Sequence, residues 1–250
     1  MAAAYRRSCC DADALSATAG LNSTHWDLRY DAPPVFSHSF EINATPGFTP
    51  ASPEGLLAAP GTYTIKLTVD GTSYSEKAVV TNDPRSSATA TAVKAQVALL
   101  RKVNSGISTA WDGYQHVSTL RSSLMAAMPS DSTTETARAI RAFGAKLDSI
   151  AGAGGGRGGF GGRGGGPAAP PTFQAVHQRF VTQLTTQENA DHAPTESLLA
   201  AFRQSCNDLT STVKRWNNVA TNNLPTLNSL LGRSGTMAVS AKVLAVPRCE

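Results

Sequence analysis

Alternating apolar and polar residues mark one strand early in the sequence. Trp26, Leu28 and Tyr30 are separated by single polar residues, and this period of two is typical of a half-buried strand. Pro33 and Pro34 end the pattern, because proline cannot donate a hydrogen bond to a neighbouring strand. We therefore predict that the chain enters a sheet at this point.

A second and clearer strand pattern follows a loop rich in proline and glycine. Its apolar residues occupy every second position and face one side; they are Tyr63, Ile65, Leu67 and Val69. Asp70-Gly71 comes next, and because both residues tolerate positive φ, the pair predicts a type I′ hairpin turn. We expect the return strand over about 72–81, and a weaker pattern at 35–42 indicates a further strand.

Beyond the hairpin the apolar period changes to that of an α-helix. Apolar residues recur at steps of three and four as far as Pro129, which predicts one helix of about ten turns. Ser132-Thr-Thr-Glu135 has the form of a capping box, and further helices are expected near Thr172, after Pro194 and around Leu224. The stripe of the first helix comprises Val93, Val97, Leu100, Val103, Ile107, Trp111, Tyr114, Val117, Leu120, Leu124 and Met128.

Helices with a single apolar stripe must bury that stripe against one another. Short connections favour antiparallel neighbours, so we predict a bundle of four to five helices over residues 87–233, with a Gly-rich linker at 151–171. The fold class is thus expected to be α+β, with the strands at 20–86. Residues 1–19 are expected to be unstructured, or to result from a wrongly assigned translation start. Residues 234–250 are expected to form a loose tail.

The composition narrows the possible partners. Only 16% of the residues are charged and the net charge is +4, which is too small an excess for the dense basic face of most phosphate-backbone binders. No apolar run approaches the roughly 20 residues of a membrane-spanning helix. The first residues show no signal peptide. Neither nucleic acid nor a membrane span is therefore expected.

The residue types that bind metals do not fall into informative patterns. The cysteines are Cys9, Cys10, Cys206 and Cys249. Because no C-x-x-C pair occurs, we expect all four thiols to be incidental. The histidines lack the i, i+4 spacing of zinc ligands, and His192 is interpreted as an ordinary residue at a helix end. No metal or cofactor is predicted.

Patterns typical of catalysis are equally absent from the sequence. There is no G-x-S-x-G elbow and no pair of carboxylates suited to acid–base work. Asp27 and Arg29 share a face of the first predicted strand, where we expect a surface ion pair. Trp111, Tyr114 and Trp216 lie on the helical stripes, and core packing is their expected role.

Four motifs together resemble one bacterial protein family. Residues 20–30 are similar to its G-x-N-x-x-x-W-D-L-R-Y segment, and residues 59–71 to its A-P-G-T-Y-T-V-R-L-T-V-D-G strand and turn. Residues 83–85 match its D-P-R junction to the helices, and residues 224–228 its L-P-x-L-N motif. The order and spacing agree over roughly residues 18–235. The chain thereby resembles the C-terminal region of sortilin-like, Asp-box (BNR-repeat), glycosyl-hydrolase-like β-propeller proteins of soil bacteria.

The resemblance implies a propeller upstream, an Ig-like sandwich over 20–86, the helical region, and export to the periplasm or beyond. The chain departs from the family because it has no Asp-box motif and lacks the strands expected before Gly20. An Ig-like sandwich needs about seven strands, so we expect a small, incomplete antiparallel sandwich with an open edge. No residues match a hydrolase site, and the family's activity is not carried over.

The leading hypothesis is a non-catalytic structural and interaction module. Its expected partner is a β-propeller domain or another protein that completes the sheet. The candidate interaction edge comprises Trp26, Leu28, Tyr30, Tyr63 and Tyr74. Two alternatives stay open: a fragment of a glycosyl hydrolase that is active only with its propeller, and an RNA or polyanion binder. The second would use Arg157, Phe160 and Arg163 of the Gly-rich linker.

Overall fold

The chain has a mixed α+β fold with one hairpin and a series of helices. The structure, a computed structural model, describes residues 15–38, 49–152, 169–187 and 191–249. Its elements are β1 (Gly61–Val69), β2 (Thr72–Val80), α1 (Ala90–Ala126), α2 (Glu135–Ala151), α3 (Phe173–Gln187), α4 (Glu196–Asn218) and α5 (Leu224–Arg233), and a π-helical turn, Val219–Asn223, joins the last two helices. The predicted α+β class is confirmed, and the Ig-like sandwich stays a prediction.

The described residues divide into two compact units. Unit 1 comprises residues 15–38, 49–104, 181–187 and 191–199, and unit 2 comprises residues 105–152, 169–180 and 200–249. The division between the two units falls inside α1, after Asn104, because Val93 and Val97, in the first turns of α1, line the same cleft as Leu56 of the preceding loop. The domain boundary expected at residue 87 stays a prediction.

β1 and β2 form the hairpin that the sequence predicts. Their antiparallel register pairs Val69 with Thr72 next to the turn and Gly61 with Val80 at the far end. Asp70 and Gly71 have φ values of +48° and +80°. Both are positive, as a type I′ turn requires. In the described residues, the regular sheet consists of these two strands.

The first predicted strand, at 26–30, is wrong. Arg29 forms only an isolated antiparallel bridge with Leu57. Leu28 has a φ of +62°, a left-handed conformation that interrupts an extended backbone. The described part of 35–42 contains no strand either, and the rest of that stretch lies outside the described residues.

In unit 2, helices α1 and α3 approach each other at two glycines. The ring of Phe180 lies over Gly106, and the ring of Phe173 lies over Gly113. Both glycines and both phenylalanines are seven residues apart, and the numbering runs in opposite directions, so the two helices are antiparallel here. The fully buried side chains of unit 2 include Ile107, Ile140, Leu147, Val176, Leu209, Val213 and Trp216.

The second and third helices begin with hydroxyl caps. The hydroxyl of Thr134 accepts a hydrogen bond from the backbone N–H of Ala137 at 3.1 Å, and Thr172 does the same for Ala175 at 3.2 Å. The predicted capping box at Ser132 is therefore displaced by two residues. Thr134 is the cap because α2 starts directly after it, at Glu135.

Helices α4 and α5 are continuous, whereas we expected a separate last helix. Pro225 stands near the start of α5. Its ring would collide with the carbonyl of Thr221 in a regular α-helix, and it has no N–H to donate. The π-helical turn at Val219–Asn223 widens the helix just before this proline, so the chain passes Pro225 without breaking.

Residues 236–249, here called the strap, are not the loose tail that we expected. Cys206 of α4 and Cys249 of the strap form a disulfide, so the expectation that all four thiols are incidental is also wrong. Cys9 and Cys10 lie outside the described residues. The bond was missed because its cysteines are 43 residues apart, and neither lies in a recognisable spacing motif.

The two ends of the Gly-rich linker lie together in unit 2. Gly152, with a φ of +96°, is so close to Thr172 that an added Cβ would lie 2.7 Å from its hydroxyl. Arg215 of α4 donates to the carbonyl of Pro171 at 2.7 Å and to that of Ser149 at 3.1 Å. Burial lowers the pKa of this guanidinium. The segment between, 153–168, lies outside the described residues.

Candidate interaction surface

One face of the hairpin is mainly apolar and open to solvent. Directly opposed residues of an antiparallel pair point to the same side, which places Tyr63, Ile65, Leu67 and Val69 beside Ala78, Glu76, Tyr74 and Thr72. The exposed fractions are 52% for Ile65, 45% for Leu67, 48% for Val69 and 60% for Tyr74. We call this surface the hairpin face.

The opposite side of the hairpin is polar. It carries Thr62, Thr64, Lys66 and Thr68 of β1 and Ser73, Ser75, Lys77 and Val79 of β2. The hydroxyls of Thr68 and Ser73 lie 3.0 Å apart. The hairpin is thus amphipathic, and a two-stranded sheet of this kind is marginally stable in water unless its apolar side is covered.

At the base of the hairpin lies an aromatic cluster. Trp26 packs edge-on against Tyr63 of β1, with ring centroids 5.4 Å apart. The indole N–H of Trp26 donates to the carbonyl of Arg29 at 3.0 Å, and the hydroxyl of Tyr63 donates to the carbonyl of Ala59 at 2.6 Å. Both rings therefore have their polar atoms satisfied while their apolar parts pack together.

Arg101 of α1 joins this cluster through Tyr30. Its guanidinium donates to the Tyr30 hydroxyl at 2.7 Å, and the central carbon of the guanidinium lies 5.3 Å from the ring centroid. Burial and the nearby Tyr30 hydroxyl raise the pKa of Tyr63. The cluster thus ties the hairpin base to the first part of α1, and both belong to unit 1.

The bridge below the cluster holds two loops together. The backbone N–H of Tyr30 donates to the carbonyl of Leu56 at 2.8 Å, and the backbone N–H of Ala58 donates to the carbonyl of Leu28 at 2.6 Å. Gly55 packs against the carbonyl of Tyr30, where a Cβ would overlap the oxygen. Glycine is therefore required at this position.

Arg29 does not form the expected ion pair with Asp27. Its Nε lies 2.5 Å from a carboxylate oxygen of Glu54, and its Nη1 donates to the carbonyl of Gly55 at 2.7 Å. Asp27 instead accepts from the backbone N–H of Arg29 at 2.9 Å. The prediction failed because it assumed a continuous strand, which Leu28 interrupts.

Next to the hairpin base is a mainly apolar cleft of about 160 Å³. Leu28 and Leu56 line it from the loops, Val80 from β2, and Val93 and Val97 from α1. Its polar lining residues are Thr81, Asn82, Gln96 and Asp191. Because most of the lining is apolar, the cleft can hold an apolar side chain.

The structure brings together three of the five predicted interaction residues. Trp26, Tyr30 and Tyr63 form the aromatic cluster, whereas Leu28 lines the cleft. Tyr74 lies apart, opposite Leu67 on the hairpin face. The predicted edge is therefore divided among three features of unit 1, which are the aromatic cluster, the cleft and the hairpin face.

Three contributors were missed by sequence reasoning. Arg101 follows Leu100 on the polar side of the α1 stripe and contacts a tyrosine 71 residues away, so no local pattern marks it. Glu54 and Gly55 lie in a proline-rich loop without any period. The one local signal was Gly55 itself, because glycine permits another backbone segment to approach closely.

The other candidate chemistry does not assemble into a site in the described residues. No group of three or more His, Cys, Asp or Glu residues is placed there to hold a metal ion, and His192 bonds only to the neighbouring carbonyl of Ala193 in the described contacts. Of the three aromatic residues expected to pack in the core, Trp216 is fully buried, whereas Trp111 and Tyr114 are half-buried and stack on each other. Arg157, Phe160 and Arg163 lie outside the described residues.

Among the described helices, none combines the length and apolar character needed to cross a membrane.

Comparison with known proteins adds no relative. No family model, no curated protein and no solved structure matches the chain. The functional argument therefore rests on the surfaces of the molecule.

Proposed function

We propose that this chain is a non-catalytic structural and interaction module whose hairpin completes the β-sheet of a partner domain. The observation that carries the proposal is the hairpin face, a mainly apolar and solvent-exposed surface on a two-stranded sheet, on which Glu76 is the one charged residue. Monomeric proteins rarely leave such a surface uncovered, and an extended partner strand pairs readily with an open sheet edge.

The energetic case follows from the exposed area. Ile65, Leu67, Val69 and Tyr74 each expose about half of their surface, so covering each one contributes about 1 kcal/mol at the usual value per unit area. The aromatic cluster and the Arg101 contact hold the hairpin base in place. A hairpin fixed at its base costs less entropy to dock than a flexible one.

The partner that we propose is an Asp-box β-propeller region with the strands that follow it, as the family motifs imply. In that arrangement residues 20–86 supply part of an Ig-like sandwich, and α1 to α5 form an up-down bundle that supports it. The Cys206–Cys249 disulfide supports the accompanying proposal of export, because disulfides persist mainly in oxidising compartments.

The test is a binding titration with the full chain. The probe is the recombinant propeller region, with its following strands, of a sortilin-like bacterial protein, and sedimentation velocity or calorimetry measures the complex. Ile65→Lys places a charge on the hairpin face, so we expect it to weaken binding at least tenfold. Thr64→Lys is the matched control, because it puts the same charge one residue away on the polar side.

Equal binding by both variants would show that the hairpin face is not the interface. No binding by the unmodified chain would remove the propeller as its partner. Circular dichroism of both variants checks that the helices are intact, so that a loss of binding is not a loss of folding.

A further inference from the structure

The strap runs antiparallel to α4 and α5 over a matched length. Four contacts define its path: Cys206–Cys249, Thr210–Pro247, Asn217–Leu244 and Asn228–Val239. From residue 206 to residue 228 the helix rises about 33 Å at 1.5 Å per residue. From 249 to 239 an extended chain spans about the same distance at 3.3 Å per residue. The strap is therefore an almost fully extended peptide laid along one helical face.

Side chains on this helical face bind the backbone of the strap. The side-chain amide of Asn217 donates to the carbonyl of Leu244 at 2.8 Å and accepts from its N–H at 2.9 Å. Asn228 holds Val239 in the same way, at 2.8 Å and 3.0 Å. The indole N–H of Trp216 donates to the carbonyl of Lys242 at 2.9 Å. An amide side chain imitates a neighbouring strand, because it offers a donor and an acceptor side by side.

The strap buries few of its own side chains. Met237 is 86% exposed, and Val243 and Val246 are also exposed. Six hydrogen bonds join the strap to α4 and α5, and neutral hydrogen bonds contribute little net stability each. Ordering eleven residues, 239–249, opposes them at a comparable or larger cost per residue. Non-covalent contacts alone therefore leave the strap close to release.

We propose that the Cys206–Cys249 disulfide is a redox latch that decides whether the strap stays on α4 and α5. With the bond formed, the strap is tied at both ends, by the disulfide and by its connection to α5. With the bond reduced, the covalent link at residue 249 is lost, and detachment of residues 239–249 gains their conformational entropy. Opening breaks the hydrogen bond from the indole N–H of Trp216 to the carbonyl of Lys242.

The opening reaction is a thiol–disulfide exchange with a dithiol reductant. A thiolate of the dithiol attacks one sulfur of the bond and forms a mixed disulfide, and the other cysteine leaves as a thiolate that takes up a proton. The second thiol of the reductant then displaces the remaining cysteine. Cys206 and Cys249 end as two thiols, and the dithiol ends as a disulfide, so two electrons and two protons are transferred.

The test is hydrogen exchange of the full chain, oxidised and after treatment with dithiothreitol. Cys9 and Cys10 are changed to Ser in every sample to prevent other disulfides. We expect the amides of Val239 and Leu244 to exchange at least tenfold faster after reduction, while amides in the middle of α4 keep their protection. The Cys206→Ser/Cys249→Ser variant is expected to match the reduced protein without any reductant.

Two results would overturn the proposal. Unchanged protection of Val239 and Leu244 on reduction would show that the asparagine contacts suffice to hold the strap. Simultaneous loss of protection in the strap and in α4 would show that the disulfide stabilises the whole of unit 2 and does not control the strap alone.

Discussion

A Cβ atom on Gly106 of α1 would lie 2.7 Å from the ring of Phe180 of α3. Phe180 is fully buried, so its ring has no free space into which to move. Glycine lowers the stability of a helix interior by about 1 kcal/mol relative to alanine. Here the close packing of the two helices offsets that cost.

Gly106→Ala should therefore destabilise the protein, by about 1–2 kcal/mol, because overpacking outweighs the gain in helix propensity. Gly144→Ala is the matched control. Gly144 also lies inside a helix, and an added Cβ there would meet nothing within 4 Å. It should leave the free energy of unfolding unchanged or raise it by up to about 1 kcal/mol. Urea denaturation followed by circular dichroism compares them, and equal effects would contradict the packing account.

Tyr63 gives the hairpin base a dependence on alkaline pH. Its pKa is raised above the ordinary 10.0 by burial and by the neighbouring Tyr30. Between the pKa of the unfolded chain and that of the folded chain, the folded state binds more protons, so stability is full below pH 10 and falls as the pH rises. In an absorbance titration at tyrosinate wavelengths, Tyr63→Phe should remove a late-titrating component. An unchanged late component would refute this assignment.

The ends of the Gly-rich linker should tolerate its removal. Gly152 and Thr172 are already in contact, and Arg215 holds both sides. Replacing residues 153–170 with four Gly and Ser residues should preserve the helices and stabilise the fold by up to about 1 kcal/mol through a smaller closure entropy. A loss of helical signal would mean that the segment itself supports unit 2. Unchanged binding of RNA by this variant would also exclude the linker as a polyanion site.

The stability of the protein should fall when the side-chain N–H donor of Asn217 is removed. Asn217→Asp keeps the shape of the side chain but turns a carboxylate oxygen toward the carbonyl of Leu244, so we expect a loss of about 1–3 kcal/mol. Asn222→Asp is the control, because Asn222 is exposed and, in the described contacts, its side chain bonds only to Asn218 and not to the strap. Thermal denaturation under oxidising conditions distinguishes them. Equal melting temperatures would show that the hydrogen bonds between Asn217 and Leu244 contribute nothing to stability.

Periodic patterns explain how much of this fold was predictable. The hairpin with its Asp70-Gly71 turn and the long helix up to Pro129 both have repeated, local signals, and both are present. The strand at 26–30 failed because its alternation is real but Leu28 adopts positive φ, which no period reveals. Local sequence also cannot show which distant segment supplies a partner, and the bridge to Leu57 is of that kind.

The strap was missed for a related reason. An extended segment bound by side-chain amides has neither the period of a helix nor that of a half-buried strand. Its signals are two asparagines on the helices and a cysteine 43 residues from its partner, and each is ordinary alone. Of the candidate interaction residues, the aromatic ones on alternating positions were recognised, whereas Arg101 was not, because its contact with Tyr30 is set by tertiary packing.

The central claim is that the hairpin completes the sheet of a partner, and hydrogen exchange at its outer edges tests it most directly. In an antiparallel ladder every second residue points its N–H outward; given the register, these are Thr62, Thr64, Lys66 and Thr68 on β1 and Ser73, Ser75, Lys77 and Val79 on β2. The account predicts that these amides exchange fast in the free chain and that one of the two sets becomes protected when the propeller region binds. Binding that leaves both sets unprotected would contradict strand pairing, and an absence of binding would contradict the proposed partner.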